Sequence, residues 1–274
     1  MRLNSVKTVL GMGVLALLFS FQNCSNAKFT SKDGSESLLS SGDNTSGNNN
    51  GEDGSCVPTD VGSSKVVKVL FLVDTSGSNV PDANGPGTDP QKQWRTRTLT
   101  EFISRYNANP NFYYGLITFQ GSSAKAQITT NNTASFSNDP AVVDDGVNRF
   151  KALKDTGGTP YKAALTAAKS LIQKDLTVNS SQKASYVVVM ISDGQAKDYK
   201  DPSQILPDVS AIKNLAPSQI SLNSVYYYAA TYDDSQTKYL KNISLVGGGS
   251  FITANANQTL NIDNLIRVPP AGCQ

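Results

Sequence analysis

Five side chains that carry oxygen occur at three places in this chain, and their types suit the binding of a divalent cation. They are Asp74, Ser76, Ser78, Thr159 and Asp193. Two carboxylates and three hydroxyls are hard oxygen donors, and the chain contains no histidine. Mg²⁺ prefers octahedral oxygen coordination and keeps some of its water, whereas Zn²⁺ and copper favour nitrogen and sulfur donors. The donor set therefore predicts a magnesium site, with Mn²⁺ or Ca²⁺ as alternative ions.

Two apolar segments explain how these side chains could meet. Residues 66–73 read VVKVLFLV and residues 186–191 read YVVVMI, and continuous apolar runs of this length are typical of strands buried on both faces. Asp74 and Asp193 stand at the carboxyl ends of these runs. Ligands of open parallel α/β sheets bind at the carboxyl ends of the strands. We therefore expect the two carboxylates and the loop 156–160 (TGGTP) to converge at one edge of a sheet.

Strand and helix patterns alternate from residue 65 onward. Further strands are predicted at 112–119, 126–129 (a short edge strand), 222–229 and 250–253. Helices are predicted at 91–106, around 143–153, and at 160–172, 208–215, 235–245 and 258–266. This alternation indicates an α/β domain of the Rossmann-like, doubly wound type, with a mainly parallel sheet and helices on both faces.

The candidate ligands resemble the metal-ion-dependent adhesion site of von Willebrand factor A-type domains over residues 65–267. That family has Asp-x-Ser-x-Ser after the first strand, a Thr in a Gly-rich loop, and an Asp in a Thr-Asp-Gly-like turn. The matching positions here are Asp74, Ser76 and Ser78, then Thr159, then Asp193, with Ser192 where Thr is commoner. The resemblance implies that the hydroxyls reach the ion, that both carboxylates act directly or through water, and that a partner's Asp or Glu completes the coordination shell.

Each element also has an ordinary structural interpretation. The sequence DTSGS at 74–78 is good turn chemistry, because Asp and Ser satisfy local backbone donors. Thr159 before Pro160 is typical of a helix start, and Asp193-Gly194 of a turn. The acids Asp82 and Asp89 are interpreted as solvated loop residues, with a second cation site as the alternative.

We expect an adhesion or protein-interaction module rather than an enzyme. One alternative is a structural envelope protein with a vestigial metal site. Another is a metal-dependent hydrolase or phosphotransferase with Asp74 as the nucleophile, although phosphotransferases of the haloacid dehalogenase type want a second Asp where Ser76 stands. No histidine can serve as a base, so no Ser-His or Cys-His pair can exist.

The amino-terminal segment 1–23 reads as a lipoprotein-type signal peptide. It carries Arg2 and Lys7 before an apolar stretch at 9–21, which is too short to span a bilayer as a helix. Cys24 follows at the position where a bacterial lipoprotein is cleaved and lipidated, although Asn23 departs from the usual pattern. The predicted location is the cell envelope, lipid-anchored to the outer membrane or cell surface. Cleavage after residue 27, which would give a secreted or periplasmic soluble protein, is the alternative.

Three cysteines occur in the chain, namely Cys24, Cys56 and Cys273. If Cys24 carries lipid or is removed with the signal, Cys56 and Cys273 remain at the two ends of the domain and can pair in an oxidising envelope. Two unpaired thiols are the alternative. Cys273 belongs to a short carboxyl-terminal tail, residues 268–274.

Residues 24–64 have the composition of a flexible tether. They are rich in Ser, Gly, Asn and Asp, and such a segment cannot bury a core. Loss of residues 1–23 removes Arg2 and Lys7 and no acid, so the formal net charge falls from +2 to 0. An uncharged chain without a Lys/Arg cluster is a poor nucleic-acid binder. The predicted partners are a protein that presents Asp or Glu, and a membrane reached through the lipid.

Overall fold

A computed structural model of the chain describes residues 66–83 and 85–266. The strands are β1 (Val66–Asp74), β2 (Phe112–Gln120), β3 (Ser123–Ala126), β4 (Thr129–Thr130), β5 (Thr133–Ala134), β6 (Ala184–Ser192), β7 (Ile220–Tyr228) and β8 (Gly248–Asn255). The helices are α1 (Gln93–Tyr106), α2 (Pro140–Ala152), α3 (Tyr161–Val178), α4 (Leu206–Lys213) and α5 (Lys238–Gly247). Single 3₁₀ turns occupy Gly77–Asn79, Pro202–Ile205, Asp234–Thr237 and Asp263–Leu265. The predictions for Cys24, Cys56 and Cys273 lie outside the described residues.

The main sheet has six strands in the order β3-β2-β1-β6-β7-β8. All neighbouring pairs are parallel except β2 and β3, which are antiparallel. The expected mainly parallel sheet is confirmed. The order reverses beside β1, because β2 lies on one side of it and β6 on the other. The carboxyl ends of β1 and β6 therefore flank a topological switch point, where sheets of this type bind ligands.

Strand β1 is buried on both faces of the sheet. Leu70 and Leu72 pack into a core with α3, α4 and α5, whereas Val69, Phe71 and Val73 pack into a second core with α1 and α2. Successive side chains of a strand point to opposite faces, so a strand covered on both sides must be apolar throughout. This explains the apolar run from Val69 to Val73 that ends at Asp74, and Lys68, which precedes this run in β1, is buried in an ion pair with Asp175. Among the described residues, no helix is long and apolar enough to cross a membrane.

Two predicted elements differ from the structure. The edge strand β3 ends at Ala126, and β4 and β5 form a separate two-stranded sheet where residues 126–129 were expected to add a strand. The helix expected at 258–266 is wrong, because only the 3₁₀ turn Asp263–Leu265 forms there. Asn255 and Asn261 accept hydrogen bonds from the backbone two residues later, at 2.9 and 2.8 Å. Such local bonds compete with a helix.

Candidate metal centre

Parallel pairing of β1 and β6 brings the two candidate carboxylates to the same edge of the sheet. Val73 lies opposite Ile191 in the paired strands. Asp74 is the last residue of β1, and Asp193 directly follows the last residue of β6, so the two lie at neighbouring strand ends. The Ser192 hydroxyl donates a hydrogen bond to Asp74 Oδ2 at 2.5 Å. Ser192, which stands where the family more often has Thr, therefore joins the two strand ends directly.

The turn after β1 extends this link through two hydroxyls. Asp74 Oδ1 accepts from the Ser76 backbone N–H at 2.7 Å, and the Ser76 and Ser78 hydroxyl oxygens lie 3.0 Å apart. The Ser78 hydroxyl donates to Asp193 Oδ1 at 2.8 Å. Four of the five candidate ligands thus form one hydrogen-bonded chain that crosses from β1 to β6.

Thr159, the fifth candidate, lies on the loop between α2 and α3 and is buried. A Cβ added to Gly194 would lie 3.9 Å from the Thr159 hydroxyl oxygen, so this hydroxyl is beside the residue that follows Asp193. The loop is held against the β1 turn, because Gly77 N–H donates to Gly157 O at 2.9 Å. Three separate segments therefore meet at this edge of the sheet.

The interpretation of Thr159 as a helix cap is wrong. Pro160 occupies the cap position of α3, and no side chain of the cap residue bonds to the helix. Instead, Asp198 Oδ2 accepts from the Lys162 backbone N–H at 2.8 Å. The capping carboxylate comes from a distant loop, and the Thr159 hydroxyl is not used to start the helix.

The two carboxylates are buried close to one another. Burial, and after it the charge of the neighbouring Asp193, raises the pKa of the Asp74 carboxyl to about 7, although hydrogen bonds from Ser192 and Ser76 oppose the shift. Burial also raises the pKa of the Asp193 carboxyl, although hydrogen bonding to the hydroxyls of Thr88 and Ser78 lowers it in part. Asp193 Oδ2 is buried without a hydrogen-bond partner in the part of the chain that the structure describes. Such a group is costly unless something absent from the protein chain binds it.

Comparison with known proteins shows which family this part of the chain is similar to. Residues 69–195 match the family model of the von Willebrand factor type A domain. The fold is that of a von Willebrand factor type A (vWA) domain. No curated protein matches the chain.

Solved structures support the same fold assignment at low sequence identity. The VWA domain of SpRpn10 is 12% identical, with a TM-score of 0.50, over 73% of this chain and 94% of that one. A von Willebrand factor type A protein from Catenulispora acidiphila is 13% identical, with a TM-score of 0.52, over 71% and 40%. The pilus adhesin SpaC from Lactobacillus rhamnosus GG is 14% identical, with a TM-score of 0.50, over 70% and 29%. The chain thus spans less than half of the latter two.

A buried arginine, Arg95, lies under the candidate site. Arg95 donates from Nη1 to the Asp74 carbonyl at 2.5 Å, from Nε to Asp89 Oδ2 at 3.0 Å, and from Nη2 to Asp155 Oδ2 at 2.7 Å. Asp89 is 5% exposed and also accepts from the Trp94 and Arg95 backbone N–H groups at the start of α1. The interpretation of Asp89 as a solvated loop acid is therefore wrong.

The sequence contains a signal for this buried arginine in the pattern of α1, outside the metal-site motif. Arg95 shares a helix face with Leu99 and Phe102, which follow at intervals of four and three. Both apolar residues are buried in the core. A charged residue on such a face must be buried with a partner, and buried charges are paired.

A cavity of about 410 Å³ opens next to the candidate ligands. Ser78 and Asp193 border it at one end, and the exposed Asp82 lines it as well. The loop 85–88 and residues 226–231, at the end of β7, complete its walls. The cavity is therefore a space next to the site in which a partner could lie.

Proposed function

We propose that the vWA domain binds a divalent cation through Asp74, Ser76, Ser78, Thr159 and Asp193, and that an acidic side chain of a partner protein binds to this cation. The observation that carries the proposal is the hydrogen-bonded chain from Asp74 to Asp193 Oδ1, together with the other carboxylate oxygen of Asp193, Oδ2, which is buried without a hydrogen-bond partner among the described residues. A bound cation supplies positive charge directly beside the two neighbouring carboxylates, whereas Arg95, which also attracts Asp193, forms its ion pairs with Asp89 and Asp155.

The donor set favours Mg²⁺, with Mn²⁺ or Ca²⁺ as alternatives. Among the described residues there is no cluster of three or more His, Cys, Asp or Glu side chains that could hold a metal. The candidate site combines only two carboxylates with neutral hydroxyls, which are hard ligands of the kind that Mg²⁺ accepts. Because the protein contributes only two charged ligands, a carboxylate from a partner can complete the coordination.

The cavity next to the site gives room for the residues that flank the partner's acid. A partner whose Asp or Glu reaches the cation beside Ser78 and Asp193 would place neighbouring residues against Asp82 and the end of β7. These surfaces lie on loops, which is where specificity is usually carried. The fold also occurs in a pilus adhesin, SpaC, and this supports a binding module in preference to an enzyme.

We further propose that the domain is held at the cell envelope by lipid on Cys24, with residues 24–64 as the tether. The support is the order of an apolar leader, a cysteine and a polar segment in the sequence. Mass spectrometry of the mature protein should find a diacylglyceryl group at Cys24. Cys24→Ala should move the protein out of the membrane fraction. A mature chain that begins at Lys28 would instead indicate a soluble secreted or periplasmic protein.

Calorimetric titration with Mg²⁺ and Mn²⁺ tests the metal site. We expect one ion per wild-type chain, weaker binding to Thr159→Ala, and still weaker binding to Asp193→Ala, because the second change removes a charged ligand. Asp144→Ala, an exposed acid on α2, is the control and should bind like wild type. Thr159 caps no helix, so Thr159→Ala should remain as stable as the control.

The partner is tested by capture from envelope or target-cell extracts. A protein retained by the wild-type domain in Mg²⁺ should be released by EDTA and should not be retained by Asp193→Ala. The proposal fails if wild-type protein takes up neither ion, or if the captured protein stays bound in EDTA and to both site variants.

A further inference from the structure

Arg95 joins three segments that meet under the candidate metal site. Its side chain is completely buried, and it contacts the last residue of β1, the loop before α1 and the loop before α3 through Asp74 O, Asp89 and Asp155. The planar guanidinium can reach all three at once because its donors point in fixed, different directions. Burial disfavours the guanidinium charge, but Tyr227, Asp155 and Asp89 outweigh burial and raise the pKa of Arg95.

Asp155 pairs with Lys92 as well as with Arg95, so Lys92 belongs to the same network of buried charged residues. Lys92 Nζ lies 3.0 Å from Asp155 Oδ1 in an ion pair, and it donates to the Leu153 carbonyl at 2.5 Å. The Asp155 side chain is fully buried between Lys92 and Arg95. Asp155 precedes Thr159 by four residues on the same loop. Through Arg95, the network therefore holds the loop that carries Thr159 to the peptide of Asp74 at the end of β1.

Stability alone does not explain this network. Buried ion pairs lose much of their attraction to the cost of removing charges from water, and well-packed apolar residues often serve stability equally well. What the network does provide is geometry: it sets the position of the Asp74 peptide relative to the loop of Thr159. Backbone bonds from Thr156 N–H to Thr75 O at 3.0 Å and from Gly77 N–H to Gly157 O at 2.9 Å run between the same two segments.

We infer that Arg95 and Asp155 are positioning residues of the metal site, which set its affinity for the cation without touching it. The inference rests on the proposed function, since it assigns the residues a role in that same site. Residues that orient the ligands of a metal are generally required for tight binding, and their loss costs about 10–100-fold in affinity.

The chain offers a matched control at the opposite end of β1. Lys68, near the amino end of that strand, is buried and lies 2.6 Å from Asp175 Oδ2. The Tyr186 hydroxyl donates to the same oxygen at 2.6 Å. Asp155 and Asp175 are therefore both acids of low exposure that form an ion pair with a buried or nearly buried lysine and accept a hydrogen bond from a further side chain, but only Asp155 lies under the candidate site.

The test compares Mn²⁺ affinity in wild type, Asp155→Asn, Arg95→Lys and Asp175→Asn of the full chain by calorimetry, with thermal unfolding in EDTA as a parallel readout. We expect Asp155→Asn and Arg95→Lys to weaken Mn²⁺ binding at least tenfold. Arg95→Lys keeps the charge, but a single ammonium cannot reach three partners. Asp175→Asn should lower the unfolding temperature as much as Asp155→Asn does and change Mn²⁺ affinity less than about twofold.

The outcomes separate this inference from the proposed function. If wild type binds Mn²⁺ and both Asp155→Asn and Arg95→Lys bind it equally well, the positioning role is refuted and the metal site stands. If Asp175→Asn weakens binding as much as Asp155→Asn, the effect is a general loss of stability and the positioning role is again refuted. If wild type takes up no Mn²⁺, both proposals fail.

Discussion

Replacement of Asp74 by Asn should stabilise the metal-free protein while it removes cation binding. In the folded protein the Asp74 carboxyl is fully buried, and burial together with Asp193 raises its pKa from 3.8 to about 7. In the unfolded chain the carboxyl ionises near its ordinary value. Between pH 4 and pH 7 the folded state therefore keeps a proton that the unfolded state has released. Stability falls as the pH rises through this window, and the loss is complete above pH 7.

The size of the effect follows from the pKa difference. Each pKa unit corresponds to about 1.36 kcal/mol, so a difference of roughly 3 units costs the metal-free protein about 4 kcal/mol above pH 7. Asp74→Asn removes this charge and retains a side chain that can bond to Ser76 N–H and the Ser192 hydroxyl. For a domain of this size the gain corresponds to about 10 °C in unfolding temperature at pH 8, and it should vanish near pH 4.

Thermal unfolding in EDTA at pH 4 to 8 measures this difference, with Asp144→Asn as the control. In excess Mg²⁺ the difference should shrink to about 1 kcal/mol, because the ion stabilises only a protein that binds it, by about 2.7 kcal/mol at 100 times Kd. If Asp74→Asn is less stable than wild type in EDTA at pH 8, or if the difference does not depend on pH, burial and Asp193 do not raise the pKa of Asp74 as described.

Two further predictions concern the loop of Thr159 and the ends of the domain. Gly157 has a φ of +70°, and an added Cβ would lie 2.8 Å from backbone, so Gly157→Ala should cost about 1–3 kcal/mol in urea unfolding. Gly85→Ala meets nothing within 4 Å and should be near neutral. Peptide mapping without reduction should find one disulfide between Cys56 and Cys273. In the chain-entropy model this disulfide stabilises the folded state by roughly 4–5 kcal/mol. Free thiols at both positions in protein from the envelope would contradict the prediction.

The strands and the ends that carry the candidate ligands are predictable because their signal is local. In β1 the apolar run from Val69 to Val73 and in β6 the run from Tyr186 to Ile191 end abruptly at polar residues, and that boundary marks both the strand end and the position of Asp74 and Asp193. General rules of α/β connection predict a mainly parallel sheet, but the order of the strands in it was not predicted from the sequence.

The features that sequence patterns miss depend on contacts between distant segments. Arg95 and Asp155 are 60 residues apart, and nothing near either residue indicates its partner. The cap of α3 is likewise supplied by Asp198 from another loop, so the local Thr-Pro pattern is misleading. In the carboxyl-terminal segment the apolar residue Ile262 is buried, as a helix would require. The side chains of Asn255 and Asn261, however, accept hydrogen bonds from backbone N–H groups two residues later, and these local bonds compete with a helix.

Anomalous diffraction from crystals grown with Mn²⁺ tests the central claim most directly, because it locates the ion. We predict one strong peak per chain at the carboxyl ends of β1 and β6, in contact with the hydroxyl oxygens of Ser76, Ser78 and Thr159 and absent from Asp193→Ala crystals. A peak elsewhere on the domain, or none at a Mn²⁺ concentration that saturates calorimetric binding, would contradict the account.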